Sequence, residues 1–490
     1  MLRRDPFLIH HYYLRIGKGF GSMHYREIIK KLDKRLFNFY IDFMSLIKRL
    51  FKYSLLFGFL IGLTASICGQ ELFEGATETE KDRPFDLNGY VRGTLYVGKD
   101  LNTDEAEVQS GYGELSFKVA TRKLDFGDAF AEIRFRKGNE YDADVSEVNV
   151  REAYVNLYAG RFDFRIGHQI VVWGRADGLN PTNNITPQNL LIRSPDEDDR
   201  REGNFLIRSY YNAHPVRIEA IWVPTFKSTY IPTALIPLPP GITRVDPDFP
   251  DNNLKNSTFA LRLNLELASI DGSVSYFNGH YLIPGITGNI PETYTPSLHL
   301  DVYQKSYRSH ILGADFQTTV AGSLGLRGEL AYKLPHGDFQ SAVHIPQPDL
   351  QYIVGVDKEF TGNFSLILQY IGRYVFDFDK LREPADPTQI PSYEIAKINR
   401  MISSQQNRLS HSFSVRAEQK LLYETLSVEF LGLFHMTTNE FFIKPVLRYE
   451  ISDAIDFAFG GSFYSGPDDT LFGTIDTLLS AVFTELKISF

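Results

Sequence analysis

Cysteine, tryptophan and methionine are scarce in this chain: one, two and five among 490 residues. A single cysteine, Cys68, forms no internal disulfide, so no disulfide framework is expected. Two histidines or a cysteine at zinc spacing are missing around His336 and His344, and no Walker motif appears. Long apolar runs are missing too. The longest, Tyr53–Ile67, is shorter than the roughly 20 residues a helical crossing needs, and no later segment qualifies. An excess of positive charge is also absent, since 51 Lys and Arg stand against 60 Asp and Glu, a net of −9. That balance argues against nucleic acid as a partner.

The apolar run lies behind Lys48, Arg49 and Lys52 and is followed by small residues, the layout of a secretory signal peptide. Cleavage is expected near Cys68–Gln70. A lipid-accepting cysteine normally follows a small residue, whereas Ile67 precedes Cys68. The organisation read from the sequence is 1–43 as an over-extended start or leader, 44–69 as signal peptide, 70–85 as a short periplasmic segment, and 86–490 as the folded body. The Gly17–Gly21 stretch lies in the first part and lacks a phosphate-loop context. Residues 1–69 hold 12 basic and 4 acidic residues, so 39 and 56 remain, a net of −17 for the exported part.

Phe and Tyr, by contrast, are plentiful at 38 and 27. Strand formers of that kind suit β structure. From Leu87 onward, segments of about 10–14 residues alternate apolar and polar between turn residues. Phe259, Leu261, Leu263, Leu265 and Leu267 share one face, and Ala260, Arg262, Asn264 and Glu266 the other. Leu324, Leu326, Leu330 and Tyr332 oppose Arg327, Glu329 and Lys333; Ile443, Leu447 and Tyr449 oppose Lys444, Arg448 and Glu450. Eighteen such segments are read: 86–98, 108–121, 125–137, 146–159, 161–174, 203–212, 215–227, 256–269, 271–283, 308–320, 322–334, 348–359, 363–377, 408–422, 424–438, 440–452, 454–466 and 476–490. Segment 296–306 is placed in a loop, because a nineteenth strand would break the alternation of tight and long connections. The fold predicted is all-β: a transmembrane antiparallel β-barrel of about 18 strands, with long external loops and short periplasmic turns, in the outer membrane of a Gram-negative cell. The chain ends with Leu486, Ile488 and Phe490 on one face, the pattern of an assembly signal read by the barrel-assembly machinery. Outer-membrane lipid is the other partner this fold implies.

One connection stands apart. Val171–Asn204, "VVWGRADGLNPTNNITPQNLLIRSPDEDDRREGN", carries charges and amides with neither helical nor strand period. Loops of that length are usually functional. The residues expected to constrict a passage are Arg175, Asp177, Asn180, Asn183, Asn184, Arg193, Asp196, Asp198, Arg200 and Arg201. Two other readings are a structural latch, with Arg175 or Arg193 paired to the Asp196–Asp199 run, and Ca²⁺ binding by that run, which lacks the spaced acidic pattern. The wall candidates are Arg165, Arg217, Arg262, Arg327, Arg416, Lys420, Lys444 and Arg448, with Glu219, Glu266, Glu329, Glu418 and Glu450 as acidic partners. Both signs occur, so neither anion nor cation preference is assigned.

The block "RIGHQIVVWGRADGLNPTNNITPQNLLIRSPDEDDRREGNFLIRSYY" resembles a family of porin-like outer-membrane proteins with a WG…D…NP stretch. That family is often associated with RND-type exporters and is distantly similar to alginate-export and phosphate-selective porins. The resemblance covers roughly residues 161–225 and implies that Gln169, Trp173, Gly174, Arg175, Asp177, Asn180 and Pro181 are motif residues. His168 departs from the family's GRQ, and no solute carries over.

Three functions remain in view. The first is a porin-like channel for small solutes, needing no cofactor and no metal. The second is a plugged barrel acting as a binding or export partner at the cell surface, with Ile231–Ile242 as an apolar loop. The third is an outer-membrane hydrolase, disfavoured because His411 points away from Ser410, Ser412 and Ser414 on its own strand.

Overall fold

The computed structural model describes residues 85–490 apart from 101–102, 104, 122–123, 142, 234–241, 290–299, 321 and 338–341. The expected leader, signal peptide, periplasmic segment apart from Phe85, and most of the Ile231–Ile242 stretch lie outside the described residues.

The strands are β1 (Phe85–Lys99), β2 (Ala106–Thr121), β3 (Gly127–Glu140), β4 (Ala143–Ala159), β5 (Phe162–Gln169), β6 (Asn204–Ala213), β7 (Val216–Val223), β8 (Ile242–Arg244), β9 (Thr258–Glu266), β10 (Ile270–His280), β11 (Gly285–Gly288), β12 (Leu300–Lys305), β13 (Arg308–Val320), β14 (Leu324–Pro335), β15 (Asp349–Phe360), β16 (Phe364–Val375), β17 (Leu409–Leu421), β18 (Leu426–His435), β19 (Glu440–Ser452), β20 (Ile455–Ser465) and β21 (Ala481–Ser489). All but β8, β11 and β12 form one 18-stranded sheet in which each strand pairs antiparallel with its neighbour. β21 pairs with β1, Tyr90 opposite Ser489 and Gly98 opposite Ala481, so the sheet closes on itself. A closed barrel leaves no wall strand with an unpaired edge.

Burial is inverted relative to a water-soluble protein. Along β9, Phe259, Leu261, Leu263 and Leu265 are exposed, while Thr258, Ala260 and Arg262 between them are buried. On β1, Val91 and Leu95 are exposed and Arg92 and Thr94 buried. Apolar side chains outward and ionised ones inward make sense only where the outside is hydrocarbon. Among the described residues no helix is long and apolar enough to cross a membrane; the crossing elements are strands.

Connections alternate between the two rims. Tight turns such as 160–161, 214–215, 267–269 and 453–454 lie at one end, and 170–203, 224–257, 281–307, 376–408 and 466–480 at the other. The segment 296–306, read as loop, contains β12, which joins β8 and β11 in a separate three-stranded sheet and leaves the wall count unchanged. Strand ends shift by a few residues, and the two largest differences from the sequence reading have a physical cause. β5 stops at Gln169 rather than 174, because the next amides turn to side chains: Ile170 N–H donates to Glu152 (2.8 Å) and Val171 N–H to Thr186 Oγ1 (2.7 Å). β21 begins at Ala481 rather than 476, because helix α2 (Leu471–Leu479) precedes it; α1 (Ile390–Ile402) likewise lies within the expected loop 378–407. The Thr470 hydroxyl accepts from Gly473 N–H and caps α2, a local signal that outweighs the strand-like composition.

Candidate functional site

Residues 170–203 do not project from the rim. Their contacts reach wall strands on every side of the ring, through side chains of the inward face, which places the loop inside the barrel.

The first half enters on apolar contacts. Val171, Trp173 and Ile185 are buried against Leu206, Ile221, Val223, Ala260, Phe277, Ile311 and Ala331, inward residues of β6, β7, β9, β10, β13 and β14. Burying an aromatic or aliphatic side chain this fully stabilises by about 1.5–3 kcal/mol. Trp173 also lies beside Arg262, whose guanidinium carbon is 5.6 Å from the ring. The backbone then needs partners, because a buried N–H left unpaired is costly. Glu329 of β14 supplies them, accepting from Arg175 N–H (3.1 Å), Ala176 N–H (3.1 Å), Thr182 N–H (2.8 Å) and the Thr182 hydroxyl (2.7 Å). Gly174 has φ +96°, and a Cβ there would come within 2.5 Å of Glu329 Oε2. Only glycine combines that dihedral with that approach.

Farther in, Arg175 pairs with Asp315 of β13, which also holds Arg262 Nη2 at 2.8 Å. Asp177 accepts from Arg416 Nε at 2.7 Å. β17, which carries Arg416, is the fourteenth wall strand and stands nine places from β5, the fifth, in a ring of eighteen. The loop therefore reaches the wall opposite its own origin. The Gln369 amide of β16, oriented to satisfy both its groups, bonds the Asp177 N–H (2.9 Å) and carbonyl (2.7 Å). Asn180 donates to the carbonyls of Ala176 (2.7 Å) and Leu179 (3.1 Å), Asn183 Oδ1 accepts from Trp173 N–H (3.4 Å), and Asn184 donates to Pro181 (2.9 Å). These three amides bond within the loop and hold its shape.

The second half docks on another arc. Arg193 bonds the Tyr141 hydroxyl and the Leu478 and Leu479 carbonyls at the C-terminus of α2. Cations suit that end of a helix. Asp199 pairs with Arg92 of β1 (2.6 Å) and Arg134 of β3 (2.8 Å) and takes the Ser194 hydroxyl (2.6 Å). Burial raises the Asp199 carboxyl, but the two guanidinium groups overcome it and hold the group well below the ordinary carboxylate range. Lys444 donates to the Pro195 carbonyl (2.8 Å) and lies 3.5 Å from Glu197. The pairing of Arg175 or Arg193 with the acidic run, read from the sequence as one alternative, is corrected: both reach other partners. Asp196 caps the 197–200 turn, Asp198 pairs with Arg201 (2.8 Å), and Arg200 Nε donates to Ile192 (3.2 Å), so these four serve the loop's own fold. The acidic run spreads over separate partners, and among the described residues no group of three His, Cys, Asp or Glu side chains suits a metal.

Arg327 pairs with Asp357 (2.6 Å) and Arg448 with Glu429 (2.7 Å), while Arg165 bonds Asn156 (2.8 Å) and Arg217 lies 4.0 Å over the Tyr210 ring. The last two stand near the tight-turn rim, away from the loop. Sequence reasoning missed Arg92, Arg134, Asp315 and Gln369. Each occupies a polar-face position of its strand, so the alternation marks it as inward; nothing in the sequence marks which inward residues the loop meets. It also missed the Ser412 hydroxyl against His435 Nδ1 (2.6 Å), because His435 comes from the neighbouring strand; His411 bonds Tyr370 instead (2.6 Å).

No family model and no curated protein matches the chain. Solved structures with similar architecture include Acinetobacter baumannii OccAB3 (9% identity, 83% of this chain and 98% of that one, TM-score 0.49), Pseudomonas aeruginosa OccK11 (OpdR) (9%, 83% and 95%, 0.47) and a Rh. blastica porin variant (11%, 83% and 100%, 0.38). At these identities and scores, neither a solute nor the state of a passage transfers from them.

Proposed function

We propose that this chain is a porin-like channel of the outer membrane for small solutes, with residues 170–203 as its constriction. The tight-turn rim faces the periplasm and the long loops face outward. The observation that carries the reading is the Asp177–Arg416 contact, by which a loop rooted at β5 spans the interior to the opposite wall. An 18-stranded barrel without such a loop encloses an aqueous channel wide enough for more than side chains. A strut across it leaves a narrow lane, and a narrow lane lined by fixed charges selects by size and charge.

The lane runs along β14–β19. There Glu329 and Lys444 are buried against the loop, but Arg416 and Arg448 side chains are 36% and 38% exposed, whereas Arg92 and Asp199 on the far arc are 4% and 8%. The dry arc favours a second reading, a barrel plugged at rest that serves as a binding or export partner. Single-channel conductance of the folded protein in a planar bilayer separates the two. A channel gives steady conductance, raised by shortening residues 175–202 and raised less by Arg416→Ala. Absence of conductance in all three removes the channel and leaves the plugged barrel; conductance unaffected by the shortening reduces the loop to a latch.

A further inference from the structure

Resting on the channel reading, the geometry points to the charge class of solute: we infer that the lane favours zwitterions and other solutes of no net charge, and discriminates weakly between simple anions and cations. The reason is how the hydrated wall is built. Its exposed arginines are matched one to one with carboxylates. Arg327 faces Asp357 at 2.6 Å, Arg416 faces Asp177 at 2.7 Å, and Arg448 faces Glu429 at 2.7 Å. All six side chains are partly hydrated, from 22% to 38% exposed.

The pairs are ordered along the lane. Asp357 and Arg416 share one row of the sheet, through Ile367. Arg416 stands opposite Leu431; Glu429 is one inward position nearer the tight-turn rim, and Arg448, opposite Ser427, is two. Leu431, Ile367 and the loop residue Leu179 (44% exposed) leave apolar surface between the charged steps. Nearer the rim, Glu418, Lys420 and Glu450 again carry both signs. A lone anion or cation gains from one member of each pair and is repelled by the other a few ångströms away, so the field it feels nearly cancels. A solute with an ammonium and a carboxylate engages both members at once and passes from pair to pair without leaving a charge unpaired. Pairing also holds each arginine in place, so the wall is not a ladder of free cations.

The test is the reversal potential of the full folded protein in a potassium chloride gradient, with uptake of L-alanine, lactate and ethanolamine by protein-loaded liposomes. The expected permeability ratio of potassium to chloride lies within about threefold of unity, with alanine entering at least as fast as the other two. Asp357→Asn or Glu429→Gln removes one carboxylate and frees its arginine, and each shifts the ratio toward chloride by about threefold or more. Arg448→Gln shifts it toward potassium, which guards against a misfolded carboxylate variant; heat-modifiable mobility on a gel verifies that each barrel is closed. Conductance with a ratio beyond about tenfold in the unaltered protein, or ratios unmoved by all three substitutions, overturns this inference and leaves the channel standing. Absence of conductance removes the channel reading and the inference with it.

Discussion

Asp199 shows how one residue holds a segment of chain against a wall it does not belong to. Its carboxylate is shared by Arg92 and Arg134, both largely buried. Removing one partner from a buried ion group leaves uncompensated charge and costs about 3–5 kcal/mol. Asp199→Asn is therefore expected to free the second half of the loop, read as new tryptic cleavage at Arg200 and Arg201 in the detergent-folded protein. The pH dependence has a defined sign. A carboxyl held below its unfolded value contributes fully above that value and loses its contribution as the pH falls through the lower, folded one. Conductance of the unaltered protein should thus hold its neutral level down to about pH 4 and rise only in stronger acid, while Asp199→Asn shows the raised level throughout. Gly174 and Glu329 do the same for the first half by a backbone route, beside the Arg175–Asp315 and Asp177–Arg416 pairs.

At the scale of elements, the last strand completes the barrel. β21 supplies the closing ladder, with Gly89 N–H donating to the Phe490 carbonyl (2.9 Å) and Phe490 N–H to that of Gly89 (3.0 Å). The Phe490 ring faces outward against Phe117, centroids 6.0 Å apart. Ile488 and Phe490 are exposed on the lipid side, as the terminal alternation predicts. A cross-strand aromatic contact is worth about 1 kcal/mol, so Phe490→Ala should refold in detergent nearly as well as the parent. Its yield in cells should fall far more if the residue is read by the assembly machinery. Equal losses in both settings would assign Leu486, Ile488 and Phe490 to packing alone. The loop of 170–203 belongs to this scale too: it uses β6, β7, β9, β10, β13, β14, β16 and β17 for one half and β1, β3, β19 and α2 for the other.

For the molecule as a whole, the decisive property is a surface that hydrocarbon covers. Leu263 lies mid-strand in β9 and is 41% exposed on that surface, next to inward Arg262 and Asn264. Leu263→Arg should destabilise the barrel in lipid vesicles by about 2–4 kcal/mol in urea titrations, while Asn264→Arg costs much less. The reverse order would mean that the two faces have been assigned backwards. Eighteen strands and their alternating connections are legible in the sequence because a period of two is a local property: each residue such as Leu261 or Arg262 shows its face by its neighbours. The end of β5 and the start of β21 were not legible, because Thr186 and the α2 segment compete there for hydrogen bonds the wall would otherwise make.

What the sequence alone determined is the wall: its strands, its inward and outward faces, its closing residue and the one connection too long and too charged to be a simple loop. Only the tertiary structure decided where that connection goes. Asp177 and Arg416 are 239 positions apart in the chain, and Asp199 and Arg92 are 107. No periodicity links residues so far apart, since ion pairs and buried carboxylates are chosen by proximity after the ring has closed. The sequence offered both signs of charge without an order. Closure of the barrel paired them, dry on the β1–β4 arc and hydrated at the Arg327, Arg416 and Arg448 pairs, and it is this pairing that the proposed selectivity of the passage rests on.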